Sequence, residues 1–207
     1  MTRKTIGLAA AALAVAVGAA GWKAYDAFVA QRREAEKALG IIRVDAPAPP
    51  LDLATVGGGQ LRSDALRGKF LLVNFWATWC PPCVAEMPDM LAFGRAMERR
   101  HPGRFQMVAI SEDDDWEHLL AYFVATGGPP PVTTAFDAQG TARAAYYCAV
   151  RPGQECARPF ARDEVFDLVL PETFLIEPSG RIVGHFIGRR DWNDPAIRGY
   201  IERLVGS

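Results

Sequence analysis

Along this chain the spacing of apolar residues changes from block to block. The run Phe70-Leu71-Leu72-Val73-Asn74-Phe75 is almost wholly apolar and predicts a buried strand, and Phe105 to Ile110 predicts another. Between them, Val84, Met87, Leu91 and Met97 fall on one broad face of a helix from Cys83 to Arg100, which Pro102-Gly103 stops. Glu112 to Asp115 read as acids that cap and complement the dipole of a helix from Trp116 to Thr126, in preference to a metal site. Gly127-Gly128-Pro129-Pro130-Pro131 breaks that helix, Val132 to Phe136 forms a short strand, and Thr141 to Tyr147 a short helix. Leu170 to Ile176 and Arg181 to Ile187 flank Pro178-Ser179-Gly180 and predict an antiparallel hairpin. Asp194-Pro195 opens a closing helix that ends near Val205, with Asp191-Trp192 packed against it.

The front of the chain has a different pattern. Arg3 and Lys4 precede an uncharged run from Thr5 to Trp22, of the length of a membrane span or a secretory signal. Cleavage after Ala20 competes with a retained anchor, and Trp22, Tyr25, Phe28 and Val29 continue the helical pattern in favour of the anchor. The leading basic residues place the N-terminus in the cytoplasm, and either outcome exports the rest. Residues 1–40 are thus read as anchor (or signal) and charged stalk, 41–50 as a Pro-rich linker, and 51–207 as the folded domain. That domain begins with a hairpin, Leu51-Asp52-Leu53 and Gln60-Leu61-Arg62 around the turn Gly57-Gly58-Gly59, followed by a short turn from Ser63 to Leu66.

Composition narrows the options. The chain has 207 residues, 50% of them hydrophobic, and a formal charge of −1, which suits one ordinary core and gives no long-range pull on nucleic acid. Its four cysteines are too few for a disulfide-built miniature, and their even number fits an oxidising compartment.

The chemistry concentrates where the first strand hands over to the first helix of the domain. Cys80-Pro81-Pro82-Cys83 sits there, and a helix N-terminus stabilises an anion through its free N–H groups and its dipole. Cys80, just ahead of the first turn, is the candidate nucleophile with a lowered pKa, and Cys83 the candidate resolving thiol. Zinc or haem ligation fits poorly: Cys148 and Cys156 are eight apart, the three histidines have no ligand spacing, and none follows Cys83. No metal is expected, and no cofactor beyond the redox-active disulfide. Glu86, one helical turn past Cys83, is a candidate for proton transfer, against a surface salt bridge. Cys148 and Cys156 are read as a structural disulfide stapling a loop, against a second redox pair that exchanges with Cys80 or shapes the partner surface.

Asn74-Phe75-Trp76-Ala77-Thr78-Trp79-Cys80-Pro81-Pro82-Cys83, Glu86-Met87-Pro88 and Leu170-Pro171-Glu172-Thr173-Phe174-Leu175-Ile176 resemble the thioredoxin superfamily, and within it the TlpA/ResA/DsbE-like membrane-tethered thiol–disulfide oxidoreductases. Asn74 stands where cytosolic thioredoxins carry a buried Asp, and there the tethered branch resembles this chain. The resemblance implies an α/β, thioredoxin-like three-layer fold with a central mixed β-sheet. To it this chain adds the N-terminal β-hairpin and an insert, Cys148 to Asp167, before a proline that is cis in the superfamily and corresponds to Pro171. It implies substrate binding by the backbone of Leu170 beside Pro171. Trp76 and Trp79 are expected to shield the sulfurs, against a mostly core role for both, for which Trp76 is the stronger case. It also implies a reductant of disulfides in periplasmic partner proteins, of the cytochrome c maturation type. Electrons would come from a membrane donor protein, and the body would be held at the inner membrane by one N-terminal pass. The same chemistry serves a disulfide oxidant or a copper-site thiol reductase, and a non-catalytic thioredoxin-like binding module is the rival of another class. A peroxidase is disfavoured, because the peroxiredoxin pattern puts proline and threonine at other offsets before its cysteine.

Overall fold

The computed structural model describes residues 3–153, 156 and 170–206; the side chains of residues 3–16 and of Phe28 lie outside that description. Residues 1–40 and 41–207 form two separate compact units. The first is helix α1, Arg3–Ala38, braced near its end by an i,i+4 ion pair of Arg32 and Glu36 at 2.8 Å. Trp22 and Tyr25 are both exposed on it, with ring centroids 6.4 Å apart. Most of the uncharged run that suggests a membrane segment lies outside the described side chains. Among the described residues no helix is long and apolar enough to cross a membrane.

The second unit is built on a six-stranded mixed sheet in the order β1-β8-β7-β4-β5-β6. Strands β4 (Phe70–Trp76), β5 (Phe105–Ser111) and β6 (Thr133–Phe136) run parallel. They are linked through helices α2 (Pro81–Arg100) and α3 (Trp116–Thr126), because parallel neighbours need a crossover. Helix α4 (Thr141–Val150) returns the chain to β7 (Glu172–Ile176), which pairs antiparallel with both β4 and β8 (Arg181–Ile187). Helix α5 (Pro195–Gly206) closes the domain.

β4 is buried at every position after Phe70, as its near-continuous apolar run requires of a strand covered on both faces. Its side chains alternate between the layers. Phe75 meets Tyr146 of α4 edge-on at 5.4 Å, whereas Trp76 meets Phe123 of α3 at 6.1 Å. On the α2 side, Met107 of β5 lies directly under Gly94, where an added Cβ would come within 2.8 Å of the Met107 Cβ. The helices are therefore split, α4 on one face and α2, α3 on the other, which makes the three layers.

Two sequence expectations change. Residues 41–47 are not linker: Ile42–Pro47 is the edge strand β1, antiparallel to β8, with buried Ala46 opposite Ile182. Its polar, proline-bearing composition suits an edge, where a missing N–H goes unused. Helix α4 runs on to Val150 and so includes Cys148, which is not in a loop. Residues 154, 155 and 157–169 of the insert lie outside the described residues. The expected hairpin is present as β2 (Asp52–Ala54) and β3 (Gln60–Arg62), turned through Gly57 and Gly58, both at positive φ. Within its connection, Val56 donates to the Thr134 carbonyl at 2.9 Å and joins the hairpin to the β6 edge.

Candidate active site

β4 delivers the chain to the N-terminus of α2, and Cys80 is the N-cap residue with extended backbone. Cys80 and Cys83 are joined in a disulfide, and the Cys83 backbone N–H still donates to the Cys80 Sγ at 3.3 Å. Pro81 and Pro82 occupy the first helical positions, where an absent N–H costs nothing. In this oxidised state Cys80 is 5% exposed and Cys83 is fully buried, while Trp79, next to Cys80 in the chain, is 45% exposed. Trp76 is wholly buried, a core residue.

The turn before the cysteines is held by Asp113. Its buried carboxylate accepts from the Thr78 backbone N–H at 3.0 Å, from the Thr78 hydroxyl, and from the Ser111 hydroxyl at 2.6 Å. The acidic run thus divides its work. Asp115 caps α3, accepting from the His118 N–H at 2.9 Å. Glu112 is buried and pairs with the Arg143 guanidinium from α4. Burial pushes the Glu112 carboxyl up to about 7, with Arg143 opposing and Asp137 and Glu172 adding to the rise.

Glu86 is 2% exposed, so it is buried rather than a surface group, and it makes no salt bridge among the described residues. One oxygen accepts weakly from the Asn74 amide at 3.4 Å, and the other from the Arg190 backbone N–H at 2.8 Å. The Asn74 amide also donates to the Thr173 hydroxyl at 2.9 Å, so β4, β7, α2 and the loop after β8 meet at this carboxyl. Burial raises Glu86 to about 7. The Arg190 N–H, the nearby Trp192 indole, the Asn74 amide and the Arg189 charge pull the other way.

The Leu170–Pro171 peptide is cis. The Phe75–Glu172 pairing sets Pro171 one residue further on, level with Trp76 and so beside the turn into the cysteines. Its carbonyl accepts from the Gly188 N–H at 2.8 Å. Beyond it, Thr173 faces Glu86 through Asn74, while Glu172 faces α4's layer and pairs with buried His185 at 2.7 Å. Cys148 and Cys156 are also disulfide-bonded, with Cα atoms 5.7 Å apart. The links of Asp113 to Thr78, Thr173 to Asn74 and Arg190 to Glu86 carry no local signal in the sequence, since each joins residues distant along the chain.

This geometry is what a dithiol exchanger requires: two cysteines at a helix N-terminus, a buried carboxyl one turn behind them, and a cis proline alongside. Residues 44–185 match the AhpC/TSA family. The thiol:disulfide interchange protein DsbE homolog of Paracoccus denitrificans (strain Pd 1222) is 30% identical over 178 residues, 83% of this chain and 77% of that protein. Thiol-disulfide oxidoreductase ResA of Bacillus thuringiensis (strain Al Hakam) is 23% identical over 193 residues, 93% of this chain and 92% of that one. Among solved structures, a thiol:disulfide interchange protein of the thioredoxin family from Chlorobium tepidum TLS superposes with a TM-score of 0.57 at 26% identity, covering 78% of this chain and 97% of that chain. The chain belongs to the AhpC/TSA family, and is a thiol–disulfide oxidoreductase of thioredoxin-like fold.

Proposed function

We propose that this protein reduces disulfides in exported partner proteins, of the kind needed in cytochrome c maturation, through the Cys80/Cys83 dithiol. The observation that carries the reading is the placement of that pair at the start of α2, with Glu86 buried one turn beyond Cys83. In the reduced protein the Cys80 thiolate, stabilised by α2's N-terminal N–H groups, attacks one sulfur of the partner disulfide. The partner's other sulfur leaves as a thiolate and takes a proton. Cys83 then attacks Cys80 Sγ in the mixed disulfide, giving its proton to Glu86 and expelling the second partner sulfur as a thiolate, which takes a proton from water. Two electrons pass to the partner, and the protein ends with the Cys80–Cys83 disulfide. Trp79 and the backbone of Leu170 beside cis-Pro171 form the partner-binding lip, where an extended segment can pair.

A membrane donor protein would restore the dithiol, and no cofactor beyond it enters the cycle. The N-terminal run would hold the domain on the outer side of the inner membrane, with a cleaved signal as the alternative. The test is a pair of serine variants: Cys80→Ser should abolish exchange with a protein disulfide, and Cys83→Ser should accumulate a covalent mixed disulfide at Cys80. Normal turnover by Cys83→Ser would overturn these roles, and an inert wild-type dithiol would leave a binding module. The direction follows from the reduction potential of the pair. A value well below the ~ −180 mV of protein disulfide isomerase supports the reductant, and one near ~ −120 mV an oxidant.

A further inference from the structure

The loop from Gly188 to Asp194 is fastened to the redox site twice and to the core once. The Gly188 N–H donates to the Pro171 carbonyl, and the Arg190 N–H to the Glu86 carboxyl, each at 2.8 Å. Two residues later, Trp192 is wholly buried, stacked on Phe93 at 5.8 Å and tilted against Phe186 at 5.6 Å. These three anchors fix the backbone of a segment that carries two arginines.

Arg189 lies between the first two anchors. Its side chain is exposed and makes no hydrogen bond or ion pair among the described residues. The other charges of the loop are engaged. The Arg190 guanidinium turns back toward the Arg189 carbonyl, the Asp191 carboxylate accepts from the Asn193 N–H at 2.9 Å, and that of Asp194 accepts from the Ala196 N–H at 2.7 Å. The Arg189 charge is felt at Glu86, where it favours the ionised carboxyl. An exposed arginine on a mobile loop would be ordinary solvated surface. Here the backbone is pinned between the cis proline and the buried carboxyl, so the side chain springs from a fixed point on the rim of the site.

We infer that Arg189 is a specificity-determining residue, which draws in disulfide partners carrying carboxylates beside their cystine and disfavours those carrying cations. This rests on the exchange reading above and adds a substrate class to it. The interaction is Coulombic across water. At a separation of ~10 Å and low salt, reversing one charge opposite a doubly charged partner shifts encounter by several-fold.

The experiment uses the full chain, reduced, and three small disulfides of different charge: oxidised glutathione (anionic), cystamine (cationic) and bis(2-hydroxyethyl) disulfide (neutral). Each reaction closes Cys80–Cys83 and releases two thiols from the probe. It is followed by quenching with an alkylating agent and weighing the peptide that holds both cysteines. At ~10 mM ionic strength the glutathione-to-cystamine rate ratio should fall at least about fivefold in Arg189→Glu. Arg189→Gln should lie between the two proteins, and keeps the test open if the glutamate variant fails to fold. In the wild type, the same ratio should decline as salt rises to ~0.3 M, a dependence that a purely structural role would not produce. A ratio equal in wild type and variants, or indifferent to salt, overturns the inference. If the wild type closes its disulfide with the neutral probe while the ratio stays fixed, only the inference fails. If it does not react with the neutral probe, the exchange reading falls and takes the inference with it.

Discussion

The Glu86 carboxylate accepts from the backbone N–H of Arg190 at 2.8 Å, across 104 residues of sequence. This contact holds a titratable group in the interior, one turn behind the cysteines, with its pKa raised to about 7 mainly by burial. In the proposed role of proton acceptor for Cys83, Glu86 would work in its ionised form, so resolution of the mixed disulfide should quicken as pH rises through about 7. Glu86→Gln should slow that step on the order of a hundredfold and remove the inflection. Rapid-mixing kinetics over pH 5 to 9, about two units either side of neutrality, check it. An unchanged profile would reduce Glu86 to a packing role.

Stability carries a second signature of the same group. Because its folded pKa lies above the unfolded value of about 4.5, the folded state holds the extra proton between these limits. Stability contributed by the neutral carboxyl is present below pH ~4.5 and is lost as pH rises through about 7. Glu112 behaves the same way for the same reason. Denaturant melts of wild type and Glu86→Gln should therefore both lose stability over this range, with the smaller loss in the variant.

The buried Glu112–Arg143 pair ties the segment just after β5 to α4. Arg143→Met should destabilise the domain by about 3 kcal/mol at pH 8, because an ionised Glu112 is left without its partner. At pH 6 the cost should shrink, since Glu112 then takes a proton. Glu112→Gln combined with Arg143→Met should recover much of the loss, as read from urea midpoints.

Gly94 is a packing requirement. Alanine gains about 1 kcal/mol of helix propensity, but its Cβ would sit 2.8 Å from the Met107 Cβ, a contact that a side-chain rotation does not relieve. Gly94→Ala should cost about 1–3 kcal/mol net, and Met107→Ala in the same chain should relieve part of the strain. Thermal melts of the single and double variants decide it.

The Cys148–Cys156 bridge closes a short loop, with the cysteines eight positions apart. Replacing both cysteines by alanine should lower stability by about 2.5 kcal/mol on the chain-entropy account. Exchange at Cys80 should persist if the bridge is a staple, and its loss would make this pair a participant in the redox chemistry.

The strand, the capped helix and the cysteine pair were legible because each is a local pattern: apolar continuity, helical spacing, prolines at a helix start. Glu86 was legible as a position but not as an environment. Its partners come from β4 and from the loop after β8, and neither proximity is written near residue 86. The acidic run shows the same limit. Four consecutive residues, 112 to 115, looked alike as helix caps, yet burial gave Glu112 an arginine, Asp113 a turn to hold, and left the capping to Asp115. β1 was missed for another reason. An edge strand needs few apolar residues and tolerates proline, so Asp45-Ala46-Pro47 has the composition of a spacer.

Glu172 and Thr173 are neighbours in β7, and their side chains leave the sheet on opposite sides, one to His185 and the other to Asn74. The bend at Pro171 is consequently keyed from above and from below by adjacent residues. Changes made in either helical layer, however far apart in sequence, should register at the same turn of backbone, where an incoming chain would be gripped.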